Sequence, residues 1–332
     1  MAPREVRQPE VARLLSLAAA TVLVGPVART AVDLVLATAF LVEFLSAGHY
    51  HPLSALTNAP RRQALPVDGA AVDRWGDGGV PLVLVHGYAP AGKDEPRVQD
   101  AAALLARAGF DVAVPTIPGL THGRLRPDDV RPVVATLAAH PAPSVMVAVS
   151  IGAGPALLAA ADPAVRDRPR VVLSLGGYAS ALELLRFFLT GEYGWNGIHG
   201  RVVHDPAIVR WFVEANADLL DTPAPAALAD PARAAALLAA PPPRVADLLA
   251  RLSPERIAGE IRARLVLVHG VDDRAVPYTE SLRLAAARPE GTRVVLVHLV
   301  EHVGGTRVGA GLTAARELGA LILVVYGLGR VG

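Results

Sequence analysis

The chain has 332 residues, enough for one large domain with an insertion or for two smaller domains, each with a buried core. Its formal net charge of +1 and the lack of any basic run give no electrostatic reason to expect a nucleic-acid partner. It contains no cysteine, which excludes disulfides, thiolate metal ligands and a cysteine nucleophile.

The most apolar long stretch of the chain is residues 11–46. Arg29, Asp33 and Glu43 interrupt it and Pro26 divides it, so no run reaches the roughly 18 to 20 residues of a clean membrane-spanning helix. Two interpretations are open: a pair of helices packed on the following domain, or contact with a membrane surface through 11–46. We therefore assign residues 1–60 to an apolar N-terminal helical segment and expect the protein to be cytoplasmic or membrane-associated.

From about residue 62 onward, short runs rich in valine and leucine alternate with alanine-rich stretches of helical character. The runs are continuously apolar, as in strands that are buried on both faces of a parallel sheet. The alternation predicts an α/β fold with a doubly wound, mostly parallel sheet in a domain over residues 61–332. The six predicted strands lie at 80–87, 110–116, 144–150, 170–177, 263–270 and 292–299.

One interval is too long for a single connecting helix. It separates the strand at 170–177 from the strand at 263–270, and we expect a helical cap at about 180–260. The interval is rich in large aromatic residues, which either pack inside the cap or form an aromatic face towards an apolar substrate. Those aromatic residues are Phe187, Phe188, Trp195, Trp211 and Phe212.

Polar residues follow three of the predicted strands. Ser150 ends one strand between the small residues Ala148 and Gly152, Asp273 follows a second strand, and His302 follows the last. Because the carboxyl ends of parallel strands line one edge of a sheet, we expect these three side chains to meet there. A serine, a carboxylate and a histidine at one edge are the components of a nucleophilic catalytic site.

These residues resemble the α/β-hydrolase superfamily over about residues 62–320. Ser150 matches the nucleophile elbow of that family, a strained turn between strand and helix, with Ala148 at the first glycine of the G-x-S-x-G pattern. Asp273 matches the acid in a G-x-x-D-x-x-V-P turn, and His302 falls where the family places its histidine. Residues 90–120 also resemble dienelactone-hydrolase-like bacterial members. Those enzymes use a cysteine nucleophile, so their substrates do not carry over.

Several neighbouring residues compete for the same roles. Asp272 is adjacent to Asp273, but the spacing from Gly270 favours Asp273. His298 precedes His302, but it lies within the apolar run of the last predicted strand, where a histidine is usually part of the core. Three further histidines remain to be placed: His86 and His269, which precede glycines at strand ends and are interpreted as structural, and His122, in a loop that could face the pocket.

The resemblance implies a serine hydrolase that works through an acyl-enzyme, with Ser150 as nucleophile, His302 as base and Asp273 as the acid that orients it. The backbone N–H groups of Tyr88 and Ile151 would form the oxyanion hole. We expect a small-molecule carboxylic ester with an apolar acyl chain as substrate, without a metal or an organic cofactor. The alternatives are an acyltransferase or peptidase with the same triad, and a non-catalytic binding protein with this fold.

Overall fold

A computed structural model of the protein describes residues 28–218, 230–302, 305–306 and 312–330, and these residues contain twelve strands. Eight of them form one sheet, in the spatial order β1-β2-β4-β3-β5-β6-β9-β10, and the other four form two small hairpins. In chain order the strands are β1 (Arg62–Val67), β2 (Ala70–Trp75), β3 (Val80–Val85), β4 (Phe110–Pro115), β5 (Ser144–Val149), β6 (Pro169–Leu175), β7 (Glu192–Trp195), β8 (Ile198–Arg201), β9 (Arg264–Gly270), β10 (Thr292–Val297), β11 (Val300–His302) and β12 (Gly305–Thr306).

Helices cover both faces of the eight-stranded sheet, and each face has its own apolar core. Side chains of β3 alternate between the two cores: Leu82 and Leu84 belong to one, Val83 and Val85 to the other. The helices are α1 (28–45), α2 (Pro52–Leu56), α3 (Pro96–Arg107), α4 (Val130–Ala139), α5 (Ala153–Ala161), α6 (Ala181–Thr190), α7 (Pro206–Ala215), α8 (Pro231–Ala239), α9 (Pro243–Arg251), α10 (Thr279–Ala287) and α11 (Leu312–Leu328).

Six strands of the large sheet are adjacent and all parallel, in the order β4-β3-β5-β6-β9-β10. This confirms the predicted doubly wound, mostly parallel sheet. The apolar runs also located the strands: β3, β4, β5, β6 and β9 are largely buried on both faces, whereas β10, at an edge of the sheet, is partly exposed. β3 and β6 nevertheless end two residues before the runs at 80–87 and 170–177 do. In both cases the last residues are glycine or precede glycine, and they leave the sheet to form the loops at its carboxyl edge.

Two strands of the large sheet were not anticipated from the sequence. β1 and β2 form an antiparallel hairpin at one edge of the sheet, and β2 pairs with β4 in antiparallel orientation. Their turn contains Asp68 and Gly69, and Gly69 has φ +72°, a left-handed conformation that glycine adopts without steric cost. An Asp-Gly pair between alternating residues is a strong hairpin signal, so the sequence did carry the information.

The described part of the N-terminal segment packs on the sheet domain. Phe40 and Leu41 of α1 are buried in the same core as Leu321 and Val324 of α11. The buried carboxylate of Glu43 accepts a hydrogen bond from the Ser54 backbone N–H at 2.9 Å, which joins α1 to α2. The packing interpretation therefore holds for the second half of α1, while residues 1–27 lie outside the described part of the chain.

No helix among the described residues is long and apolar enough to cross a bilayer.

The described residues between β6 and β9 include a separate layer, which we call the cap (residues 181–218 and 230–252). We expected a helical cap. The observed cap contains the helices α6 to α9 and, in addition, the antiparallel hairpin β7–β8. Phe187 is fully buried, and the rings of Phe188 and Phe212 stack with their centroids 4.5 Å apart. These three phenylalanines fill the core of the cap itself. Trp195 is half-buried, with the Arg283 guanidinium 4.3 Å from its ring centroid, and Trp211 is 40% exposed, so the five residues do not form one aromatic face.

A buried carboxylate fastens the cap to the sheet domain. Oε2 of Glu280, in α10, accepts hydrogen bonds from the N–H groups of Ala179 at 3.0 Å and Ser180 at 2.7 Å, directly before α6. Its Oε1 accepts a hydrogen bond from Arg283 Nε at 3.1 Å, and Arg283 also donates to the carbonyl of Gly194 in β7. Burial raises the pKa of Glu280, although these donors act in the opposite direction. Glu280 thus holds the entry to the cap directly and is linked to β7 through Arg283.

We expect Glu280→Ala to lower the free energy of unfolding by about 3 kcal/mol, because it leaves the buried N–H groups of Ala179 and Ser180 without their acceptor and removes one acceptor of the largely buried Arg283 guanidinium. Chemical denaturation of the purified proteins measures the difference. Glu290→Ala, which removes an exposed carboxylate just beyond α10, is the matched control and should change stability by less than about 0.5 kcal/mol. Equal stability of the two variants would contradict the fastening role.

Candidate active site

Ser150 lies at the junction between β5 and a short 3-10 turn (Ser150–Gly152) that leads into α5. Its φ of +54° is in the left-handed region, which is rare for a residue with a side chain. Ala148 is fully buried, and a Cβ on Gly152 would collide with the carbonyl oxygen of His86. Strained residues of this kind cluster at functional sites, since the surrounding structure must hold them in place. The turn has the form of a nucleophile elbow.

The loop after β3 lies against this turn. A Cβ on Gly87 would be 3.0 Å from Ser150 Cβ and 3.0 Å from the carbonyl oxygen of Val149, so only glycine fits there without displacement. Tyr88 follows directly, and its backbone is therefore beside the elbow. The N–H of Ile151 is next to Ser150 in the chain. Both N–H groups proposed for the oxyanion hole belong to segments in contact with Ser150.

The His86 ring fixes the start of this loop. Its Nε2 accepts a hydrogen bond from the Ile117 N–H at 3.0 Å, and its Nδ1 is 2.7 Å from the carbonyl oxygen of Gly87. Burial lowers the pKa of His86, which favours the neutral ring with its proton on Nδ1. His86 therefore connects the loops after β3 and β4 and is structural, as the sequence indicated.

Asp273 lies in the turn after β9, and only 1% of its side chain is exposed. Its Oδ1 accepts hydrogen bonds from the N–H groups of Ala275 at 2.8 Å and Val276 at 3.0 Å. These bonds fix the carboxylate in the turn. The neighbouring Asp272 is exposed. The structure thus distinguishes the two aspartates by burial, and the buried one is the one that the spacing favoured.

His269 is close to Asp273 but is enclosed by protein. Its side chain is fully buried, with Nε2 3.6 Å from Asp273 Oδ2 and 2.9 Å from the carbonyl oxygen of Val276. Its Nδ1 is 2.7 Å from the hydroxyl oxygen of Ser281. A ring with both nitrogens engaged in the interior is not accessible to a substrate. His269 supports the turn that carries Asp273.

The two candidate histidines after β10 differ in their placement. His298 was expected in the core, but β10 ends at Val297 and its side chain is 62% exposed, with Nδ1 2.9 Å from Glu317 Oε1. The expectation was wrong because β10 ends one residue before His298, where the chain leaves the sheet. His302 ends β11, which lies against β9, so its backbone is near the strand that precedes Asp273. The side chain of His302 lies outside the described part of the structure.

A cavity of about 580 Å³ opens beside Tyr88, between the loop after β4 and helix α7 of the cap. The rings of Tyr88 and Trp211 form one wall, with their centroids 4.8 Å apart. His122 lines this cavity. The sequence had left open whether it faces a pocket. The other lining residues are Pro118, Gly119, Thr121, Arg124, Arg126, Glu214 and Ala215, which no sequence motif indicated.

A second, much smaller cavity of about 40 Å³ lies inside the cap and is almost entirely apolar. Leu125, Leu248 and Leu252 line it, and they pack in the same cluster as Ile151 of the elbow. The elbow therefore has a polar cavity on the Tyr88 side and apolar cap residues on the Ile151 side. Among the residues described here, no group of three or more His, Asp or Glu side chains is arranged to hold a metal ion.

Neither a protein-family model nor a curated protein sequence matches this chain. Solved structures do match it. An acylaminoacyl peptidase from Pyrococcus horikoshii superposes with a TM-score of 0.51 at 14% identity, covering 81% of this chain and 41% of the peptidase. A puromycin-hydrolyzing peptidase from Mycobacterium tuberculosis gives 0.50 at 18% identity, covering 82% and 39%.

A further acylaminoacyl peptidase, in complex with Z-Gly-Gly-Phe-chloromethyl ketone, gives a TM-score of 0.52 at 17% identity over 82% of this chain and 42% of the peptidase. This chain thus spans about two fifths of the length of the three structures. At these identities the likeness concerns the fold. Together with the strand order and the elbow at Ser150, it shows that the chain has the α/β-hydrolase fold.

Proposed function

We propose that the protein is a serine hydrolase that cleaves carboxylic esters through an acyl-enzyme. The observation that carries the proposal is Ser150, held at φ +54° in a tight turn at the carboxyl edge of a parallel sheet. In open α/β sheets, ligands bind outside the carboxyl ends of the strands. The strained conformation of Ser150 has a functional reason at this edge, because the turn projects the serine hydroxyl above the sheet.

In the proposed reaction, Ser150 Oγ attacks the carbonyl carbon of the ester while the His302 imidazole takes the hydroxyl proton. The electron pair of the carbonyl moves to its oxygen and returns when the alcohol leaves, protonated by the same imidazole. Water then repeats the sequence on the acyl-enzyme and releases the acid. The buried carboxylate of Asp273 holds the imidazole in the required tautomer and stabilises its positive charge.

The backbone N–H groups of Tyr88 and Ile151 are the proposed donors to the oxyanion. The contact of Gly87 with Ser150, and the His86 ring bonded to both Ile117 and Gly87, support this assignment because they hold the Tyr88 backbone in place. Preorganised donors of this kind need no rearrangement when charge develops, and loss of one costs about 100- to 1000-fold in rate.

The proposed substrate is an ester with an apolar acyl group. Apolar side chains of the cap, among them Leu248 and Leu252, pack with Ile151 beside the elbow and offer the acyl group an apolar surface. The apolar cavity there is small, about 40 Å³, so we expect short acyl chains to be preferred over long ones. A series of p-nitrophenyl esters of increasing chain length measures this through kcat/KM. Equal kcat/KM along the series would contradict the selectivity.

Two other functions are compatible with this fold. A peptidase or acyltransferase would use the same residues, and the three similar structures named above are peptidases by their descriptions. Parallel assays with a p-nitroanilide and with an added alcohol as acyl acceptor separate these activities from ester hydrolysis. A non-catalytic binding protein would fail to react with a fluorophosphonate, whereas a serine hydrolase is labelled at Ser150. Absence of labelling in the folded protein would overturn the proposal.

A further inference from the structure

Five arginines gather at the amino edge of the sheet, opposite the edge that carries Ser150. They line a groove of about 580 Å³ at the start of β6 and β9, which we call the basic groove. Arg264 begins β9 and pairs in register with Val171 of β6, so two strands bring together residues almost one hundred positions apart. The arginines of the groove are Arg166, Arg170, Arg262, Arg264 and Arg330.

The positive charge of the basic groove is only partly balanced. Asp167 lies in the groove and pairs with Arg262, and Asp33 of α1 is 3.6 Å from Arg330. The other three arginines have no ion pair with any carboxylate in the part of the chain that the structure describes. Because the whole chain has a net charge of only +1, this is a local concentration of charge that the total does not reveal.

The two helices that meet at Arg330, α1 and α11, carry exposed aliphatic side chains. Arg330, at the end of α11, donates to the Thr30 hydroxyl at 2.7 Å and so connects the groove to α1. Val32 and Val35 lie one turn apart on α1, and both are more than half exposed. Leu323 of α11 is also 53% exposed. This edge of the molecule therefore combines the arginines of the groove with exposed aliphatic side chains on the two neighbouring helices, an electrostatic and an apolar component.

The start of α1 lies at the same edge of the molecule. Arg29 and Asp33 line a cavity together with Val80 and Phe110, the first residues of β3 and β4. The twelve residues over 14–25, which precede α1, carry no charge and are mostly aliphatic in sequence. The described part of the chain therefore begins, at residue 28, at this edge of the sheet.

We infer that this edge binds the surface of a membrane that contains anionic phospholipid. Guanidinium groups form paired hydrogen bonds with phosphate, and each basic residue close to an anionic membrane surface adds to its attraction. The exposed valines and Leu323 contact the boundary between head groups and acyl chains. A nucleic acid would use the arginines but not the apolar side chains beside them. An anionic lipid surface, unlike a nucleic acid, would contact both the arginines and the exposed aliphatic side chains.

The inference has a consequence for the orientation of the protein. β6 and β9 each have seven residues, which places the two edges of the sheet about 20 Å apart. Ser150 therefore faces away from a membrane bound at the basic groove. A substrate would reach the serine from water, and binding to vesicles should leave kcat/KM for a water-soluble ester unchanged.

Flotation of the full-length protein with vesicles tests the inference. We expect it to bind vesicles of equal parts phosphatidylglycerol and phosphatidylcholine, to bind pure phosphatidylcholine far more weakly, and to lose affinity as salt is added. Arg170→Gln with Arg264→Gln should lower the partition coefficient about 30-fold. The matched control, Arg97→Gln with Arg244→Gln, removes two exposed arginines elsewhere and should reduce binding much less.

A second variant tests the apolar component of the surface. Val32→Ser with Val35→Ser should weaken the binding that remains at high salt, because that part depends on the apolar contact. Circular dichroism confirms that each variant is folded. The inference fails if the wild type binds neither kind of vesicle or both equally, or if the groove variant and its control bind alike. Binding to RNA without binding to vesicles would also contradict it. None of these readouts requires hydrolase activity, so they test the surface independently of the proposed reaction.

Discussion

Ser150→Ala is expected to lower kcat for p-nitrophenyl ester hydrolysis by about 10⁶-fold and to abolish fluorophosphonate labelling. The hydroxyl is the proposed nucleophile, and no other group can form the acyl-enzyme in its place. The fold should be retained, because alanine keeps the Cβ that Gly87 contacts and meets the same φ of +54° that serine tolerates. Stopped enzyme assays and mass spectrometry of the labelled protein measure the two effects.

Ser144→Ala is the matched control for this substitution. Ser144 is a buried serine at the opposite end of β5, with its Oγ 3.5 Å from the carbonyl oxygen of Arg168. Its loss should leave labelling and turnover near the wild-type values. Wild-type turnover in a folded Ser150→Ala protein would refute the mechanism, whereas loss of activity in both variants would indicate damage to the strand.

Asp273→Asn is expected to lower kcat by about 10⁴-fold, while Asp272→Asn changes it by only a few-fold. An amide can keep the two hydrogen bonds that Oδ1 accepts from Ala275 and Val276, so the turn should persist. Its NH₂ group, however, favours the wrong imidazole tautomer and does not stabilise the imidazolium. The comparison separates the electrostatic role of the carboxylate from its role in the turn.

Thermal denaturation of both aspartate variants provides the structural control. If Asp272→Asn proves the more damaging to kcat at unchanged stability, the assignment of the acid is displaced by one residue. If Asp273→Asn lowers the melting temperature strongly and activity returns on cooling, the carboxylate is structural. A large loss of kcat in a stable Asp273→Asn protein supports the proposed triad.

The strands that the sequence predicted appear in it as continuous apolar runs. β3, β4, β5, β6 and β9 have such runs because both of their faces are largely buried, and β10 has one although it lies at an edge of the sheet and is partly exposed. The β1–β2 hairpin lacked this signal: the residues of β1 alternate between exposed and half-buried, as at an edge of a sheet. The cap aromatics were located correctly, but their packing on one another depends on the arrangement of α6 and α7, which no local pattern specifies.

His298 shows where one-dimensional reasoning about the site failed. An apolar run placed it in the core, yet the chain leaves β10 one residue earlier and the ring meets Glu317, nineteen positions further on. The same limit applies to Asp272 and Asp273, which differ by one position in sequence but strongly in burial. Spacing suggested the choice between the aspartates, and burial within the folded turn supports it.

The sequence by itself determined the fold class and the position of the elbow, because both depend on local patterns: apolar runs for buried strands, and small residues around Ser150 for a tight turn. Only the tertiary structure decided which distant residues share a surface. The cavity at Tyr88 and Trp211 requires α7 to lie over the loop after β4. The basic groove draws arginines from three separate segments, because β6 and β9 are neighbours in the sheet and α11 ends beside them. A chain with no basic run can therefore carry a basic surface, since charge accumulates in space through the topology of the sheet.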